Sequence, residues 1–239
     1  MTSLGHLLLA APAALLLTWP AAAAAAKVPV RVEITYVMLL GSFPIGEGHD
    51  VFEHNGKTYK LTSASRTAGI AEKFYPLDIT RVSTGAITAR GLRPHSYDET
   101  RNGQLKRRVR FDWKRKKVEL FDGQTTQTVD LPDNTWDMAS FGYNFAFAPA
   151  TEAEMDLFLT DGRRVSPYKY AFLGRERIET ELGLLDTLHV KKVQRPDDPR
   201  AFDVWLAPEQ HYAPVRIRFS EENGMAVDSL VTRISFSNR

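Results

Sequence analysis

The chain has 239 residues, with 31 Lys and Arg against 29 Asp and Glu, a net charge of +2 and no cysteine. The missing thiol excludes disulfides, thiolate metal centres, cysteine nucleophiles and lipid attachment to an N-terminal cysteine. Balanced charge removes the global case for a nucleic-acid binder, and 43% hydrophobic residues with ordinary Gly and Pro usage exclude a disordered or collagen-like chain.

In chain order, the first feature is an address. Residues 7 to 17 read LLLAAPAALLL without a charge, the run Ala21 to Ala26 follows, and Lys27 ends it. An apolar stretch of this kind before small residues in A-x-A spacing predicts a cleavable secretory signal over residues 1–26. The competing reading, an uncleaved membrane anchor, is weakened by Pro12, Pro20 and the weakly apolar alanines. The expectation is therefore an exported, periplasmic protein, soluble after cleavage. Residues 27–239 would form one β-rich domain.

Val28, Val30, Val32, Ile34, Tyr36 and Met38 alternate with Pro29, Arg31, Glu33, Thr35 and Val37, the period of a half-buried strand. Val51 to His54 runs into Asn55-Gly56 and Thr58 to Ser65 returns, a hairpin signal. Further strands are predicted at Leu105 to Trp113, Lys116 to Phe121, Gln124 to Asp130 and Met155 to Thr160. They continue at Arg164 to Leu173, Glu176 to Thr180, Thr187 to Gln194, Ala201 to Leu206, Pro214 to Phe219 and Met225 to Ser235. Two helices are predicted. Thr67 to Tyr75 carries Ile70, Ala71 and Phe74 at helical spacing and ends at Pro76. Asn134 to Ala148 would start at an Asn cap with Trp136, Ser140, Tyr143 and Phe147 along one face; Phe141, Tyr143, Phe145 and Phe147 also alternate as in a strand, but Gly142, Asn144 and Ala146 are poor strand residues and favour the helix. The predicted fold is mainly β: a single curved antiparallel sheet, a half-barrel or open barrel, with one or two helices packed in its concavity.

Candidate sites come from three clusters. Glu47, His49, Asp50, Glu53 and His54 resemble a metal site read linearly, but a strand sends His49 and His54 to opposite faces, so no metal is expected. No motif calls for a cofactor, a serine nucleophile or a phosphate loop, and no catalytic residue is assigned. Lys106, Arg107, Arg108, Arg110, Lys114, Arg115, Lys116 and Lys117 crowd residues 106 to 117, where Asp112 is the lone acid. The plain reading is a solvated outer face. The functional reading makes Lys106, Arg108, Arg110 and Lys114 to Lys117 a peripheral contact for an anionic membrane surface or an envelope glycolipid. Trp136, Phe141, Tyr143, Phe145 and Phe147 either fill a core or line a cavity sized for an acyl chain.

Several segments together resemble a family of exported bacterial proteins called domain of unknown function 3108. They are GSFPIGEG (41–48), FYPLDITRVSTGAITARGLRPHSYDETR (74–101), FDW (111–113), DMASFGYNFAF (137–147), ELGLLDTLHVKKV (181–193) and WLAPEQHYAPVRIRF (205–219). The resemblance implies a signal peptide, a β-rich domain and a helix near Asp137 to Phe147. It implies no activity and no catalytic residues. A looser, architectural likeness is to the periplasmic lipoprotein-carrier half-barrel.

The leading functional expectation is a non-catalytic periplasmic protein that binds or carries a hydrophobic or amphipathic envelope molecule, such as a lipid, and no nucleic acid. The alternatives are an envelope hydrolase with dispersed carboxylates such as Asp137 and Asp203, or a structural scaffold with a filled core.

Overall fold

The computed structural model describes residues 28–149 and 152–238. The predicted signal segment, residues 1–26, lies outside the described residues. The first half of the chain is an antiparallel meander: β1 (Arg31–Leu40), β2 (Phe43–His54), β3 (Thr58–Thr67), β4 (Asp78–Thr88), β5 (Gly91–Arg101), β6 (Gln104–Asp112), β7 (Lys117–Phe121) and β8 (Thr126–Asp130). The second half meanders back: β9 (Thr135–Asp137), β10 (Glu154–Thr160), β11 (Val165–Thr180), β12 (Gly183–Lys192), β13 (Ala201–Ala207), β14 (Ala213–Ser220) and β15 (Ala226–Ser237). All join one sheet in the order β8-β7-β6-β5-β4-β3-β2-β1-β15-β14-β13-β12-β11-β10-β9. First and last strands pair at its middle, with Ile34 opposite Ile234. Every pairing is antiparallel except the short β9–β10 contact.

The sheet is open, with β8 and β9 at its edges. Side chains bridge the seam. Gln127 on β8 donates to the Arg163 carbonyl in the β10–β11 turn at 2.8 Å. Arg107 reaches from β6 to the Asp122 carbonyl, and its stem lies against Gly162. The strand periods produce the inside as expected: Val32, Ile34, Tyr36, Phe52, Leu61, Val190, Val204 and Val231 are all buried.

Several expectations change. The predicted strands Arg164 to Leu173 and Glu176 to Thr180 are one strand, β11, kinked where the register slips between Phe172 and Gly174. The sheet curls far enough for β11 to touch β15, four places away in the strand order. Strands β4 and β5 lack a clean alternation in the sequence, because their inward positions include Ser83, Gly85 and Glu99. The helix predicted from Asn134 is shorter. Thr135–Asp137 is strand β9, and only Ser140–Asn144 forms the helix, α2. Asn134 is not the cap; the Asp137 carboxylate accepts from the backbone N–H groups of Ala139 and Ser140 at 3.0 and 2.8 Å. The other predicted helix exists as α1 (Gly69–Phe74), but it buries no residue and stands on the rim between β3 and β4. Of these two predicted helices, only α2 occupies the concavity.

Candidate functional site

Residues 131 to 149 leave the β8 edge and run through the interior as a plug. Polar side chains fix its path. The Trp136 indole N–H donates to the Leu92 carbonyl at 2.8 Å, and the Leu92 N–H donates to Asn144 Oδ1 at 2.8 Å. The two bonds fasten the plug to both backbone groups of Leu92 at the start of β5. Gly91 is required beside this attachment: its φ is +97°, and a Cβ there would lie 2.2 Å from Asn144 Oδ1. The fully buried Asp137 carboxylate also accepts from Ser83 Oγ at 2.6 Å and Ser140 Oγ at 2.9 Å, while Tyr59 pairs with Ser83 at 3.0 Å. Further along, Tyr143 donates to Asp50 Oδ2 at 2.8 Å, and Tyr36 donates to the Pro214 carbonyl at 2.8 Å.

Burial dominates the electrostatics here. It pushes the Asp137 carboxyl above its ordinary value against the pull of its Ser83 and Ser140 hydrogen bonds. It does the same to Asp50, against Ser63 and Tyr143. The Tyr143 hydroxyl is driven well up, by burial first and then by the neighbouring Asp50.

The aromatic rings pack against one another and against the sheet wall. Phe141 packs on Tyr170 at 4.6 Å between centroids and on Phe145 at 5.4 Å. Tyr143 stacks on Phe52 at 5.3 Å, Phe145 meets Phe172 at 5.9 Å, and Phe147 meets Phe52 at 5.6 Å. Trp136, Phe141, Tyr143 and Phe145 are buried and Phe147 is half-buried. Of the two readings of these rings, their packing matches the filled core: the space beside Tyr143 and Phe147 measures about 10 Å³, room for one water. These five residues fill the concavity instead of lining a void. The paired carboxylates of the hydrolase alternative do not converge. Asp137 is inside, whereas Asp203 lies on the outer face beside the inward Val204 and holds His189 Nε2 at 2.7 Å.

The family model described as "Protein of unknown function (DUF3108)" matches residues 31–231. The chain belongs to the DUF3108 family. Among solved structures, this DUF3108 chain is similar to the beta-barrel-like protein of domain of unknown function DUF1849 from Brucella abortus. The identity is 10%, the TM-score 0.57, and the match covers 87% of this chain and 98% of that one. At that identity the likeness speaks for the barrel-like fold alone. No curated protein matches the chain.

The DUF3108 chain carries its basic cluster on β6 and the β6–β7 turn, with Arg108 and Arg110 alternating with the buried Val109 and Phe111, while the Arg107 stem lies against Gly162. The cluster is not bare. Arg108 and Arg110 both bind Asp98 at 3.0 Å, Arg115 binds Asp112 at 2.5 Å, Lys117 binds Asp130 at 2.7 Å, and Lys116 pairs with Asp133. Lys106 bonds Gln104 at 2.9 Å, and Lys114 is exposed at the turn. Strand pairing thus brings in acids that lie outside the basic window of the sequence. Among the described residues no group of three or more His, Asp or Glu side chains is arranged to hold a metal ion.

Sequence reasoning missed two surface features. One is a shallow recess of about 260 Å³ on the outer face of β1–β3, lined by Thr35, Glu47, His49, Ala64, Arg66 and Asp78. The other is an apolar rim beside it. Ile70, Phe74 and Tyr75 are 76%, 84% and 68% exposed, and Phe43 is 73% exposed. The signal was present: Ile70 and Phe74 stand one helical turn apart, but their spacing alone reads as an inward face.

Proposed function

We propose that this protein is a non-catalytic scaffold of the bacterial envelope that works from its outer surface and does not enclose a ligand. The observation that carries the reading is the plug. The concavity is occupied by the protein's own residues 131 to 149, pinned through Asp137, Tyr143, Asn144 and Trp136. A carrier would have to expel this segment and strand its buried polar groups, each at a cost of about 1–3 kcal/mol. Catalysis is disfavoured on similar grounds. The interior carboxylates Asp50 and Asp137 are buried, fully hydrogen-bonded and shifted toward their protonated forms. Any amphipathic envelope molecule is met at the surface. The location in the envelope rests on the apolar and alanine-rich run at residues 7 to 26.

Native mass spectrometry of the protein purified from its own periplasm tests both parts. The expected spectrum shows the chain beginning near Lys27, at the mass of the polypeptide alone. A stoichiometric acyl ligand would overturn the filled-scaffold reading. An intact Met1 in a cytoplasmic fraction would overturn the envelope location.

A further inference from the structure

Leu40, Phe43, Ile70, Phe74 and Tyr75 belong to segments far apart in the chain, yet they meet at one end of the strands. Leu40 pairs with Phe43 across the β1–β2 turn. The Ala68 N–H bonds the Ile45 carbonyl at 3.0 Å, which seats α1 against the start of β2. Helix α1 is inverted relative to an ordinary surface helix: Ala71 is its one half-buried residue, and its large apolar side chains face water. The helix has no side-chain cap and buries nothing. The fold therefore gains nothing from Ile70, Phe74 and Tyr75, and clustered exposed rings of this kind mark a contact surface.

We infer that this rim docks onto the interfacial zone of a zwitterionic phospholipid bilayer. The inference rests on the surface-acting envelope reading above and gives it a partner. Shape and area point to lipid. The rim projects as a hairpin tip and a short helix, and a fluid surface accepts such projections without a matching groove. Scaled by their exposures, the five side chains offer roughly 500–700 Å² of contiguous apolar surface, a patch of the size that marks a membrane or partner contact. Charge points to the headgroup. Around the rim the signs are mixed: Arg66 pairs with Glu47, and Glu72, Lys73 and Asp78 stand exposed nearby. Cations suit the lipid phosphate and carboxylates suit the ammonium. A single-sign field for anionic lipid is missing from this end; the Lys114 to Lys117 cluster lies at the opposite end of the strands. Aromatic side chains at headgroup depth complete the fit.

The test is co-sedimentation of the protein, purified from its own periplasm, with phosphatidylcholine vesicles. Binding should persist at high salt, because apolar insertion is not screened. The double variant Ile70→Ser, Phe74→Ser should bind at least tenfold less while melting at the parental temperature. A Phe74→Trp variant should blue-shift its emission when vesicles are added. No vesicle binding by the parent, or equal binding by the double variant, overturns the inference. So does binding confined to phosphatidylglycerol vesicles and abolished by neutralising Lys114 and Lys117. A parental dimer that the double variant turns into monomer would assign the rim to a second copy and likewise overturn it. The two proposals fail separately. A copurified internal ligand defeats the filled scaffold whatever the vesicles show, and absent vesicle binding by an empty protein defeats the rim alone.

Discussion

Helices α1 and α2 are both short, both rich in apolar residues and both set in breaks between strands, yet one faces water and the other is swallowed by the barrel. Apolar content does not separate them: Ile70, Ala71 and Phe74 in one match Phe141 and Tyr143 in the other. Polar partners separate them. The α2 segment offers Asp137, Ser140, Tyr143 and Asn144, and each finds a mate on the surrounding wall or within the plug. The α1 segment offers Glu72 and Lys73, which suit only solvent. Burying a helix end needs its N–H and C=O groups satisfied, and Asp137 does that for α2.

The contrast breaks most sharply if Phe141 is removed. Phe141→Ala empties a site closed by Tyr170 and Phe145 and should cost about 3–5 kcal/mol in urea unfolding. A cost below about 1 kcal/mol would mean the plug is not the core of the barrel. Asp137→Ala should follow at about 3 kcal/mol, since it leaves Ser83, Ser140 and two backbone N–H groups without their acceptor. An unchanged midpoint would show that water replaces the carboxylate, and that the pins do not explain why α2 is inside.

The same comparison explains what could be read before the fold was known. Most strands were legible because their inward residues are large and apolar, as in Val32, Ile34 and Tyr36. Strands β4 and β5 were not, and the plug is the reason. Ser83 takes Asp137, Leu92 offers backbone to Trp136 and Asn144, and Gly85 makes room for Tyr59, so polar and small residues replace the period-two signal. The aromatic cluster was correctly located inside the sheet, but volume cannot be read from a one-dimensional pattern, and rings that fill a space look like rings that line it. The basic cluster looked unopposed because Asp98 and Asp130 reach it only through strand pairing, and Asp133 from the segment that follows β8. The exposure of α1 was invisible, since helical spacing gives a face and not its direction.

A third measurement sharpens the electrostatic side. Tyr143→Phe removes the bond to Asp50 and should cost about 1–2 kcal/mol. Burial raises Asp50, so the folded state favours its protonated form. Its contribution to stability is therefore greatest in acid and falls as pH rises through the folded value. Glu99 runs the other way. Burial pushes it up, but Arg81 and Arg101 outweigh burial and hold it low, so its contribution is lost as pH falls through the lowered value. Asp50→Asn removes the first effect alone, so its stability relative to the parent should rise with pH across the acid range. A difference that is flat or falling would show that folding does not raise Asp50 above its ordinary value.

The smallest expected effect lies at the other helix. Phe74→Ser changes a side chain that is 84% exposed, and Ile70→Ser one that is 76% exposed. Neither leaves a cavity and neither strands a polar group, so the double variant should unfold within about 0.5 kcal/mol of the parent. The near-zero value is informative because it is set against the several kcal/mol expected for Phe141, a residue of the same type as Phe74. If the double variant instead loses 2 kcal/mol or more, about the value of burying one large apolar side chain, then α1 folds back onto the barrel in solution. The rim would then be part of the core, and the asymmetry between the two helices would disappear.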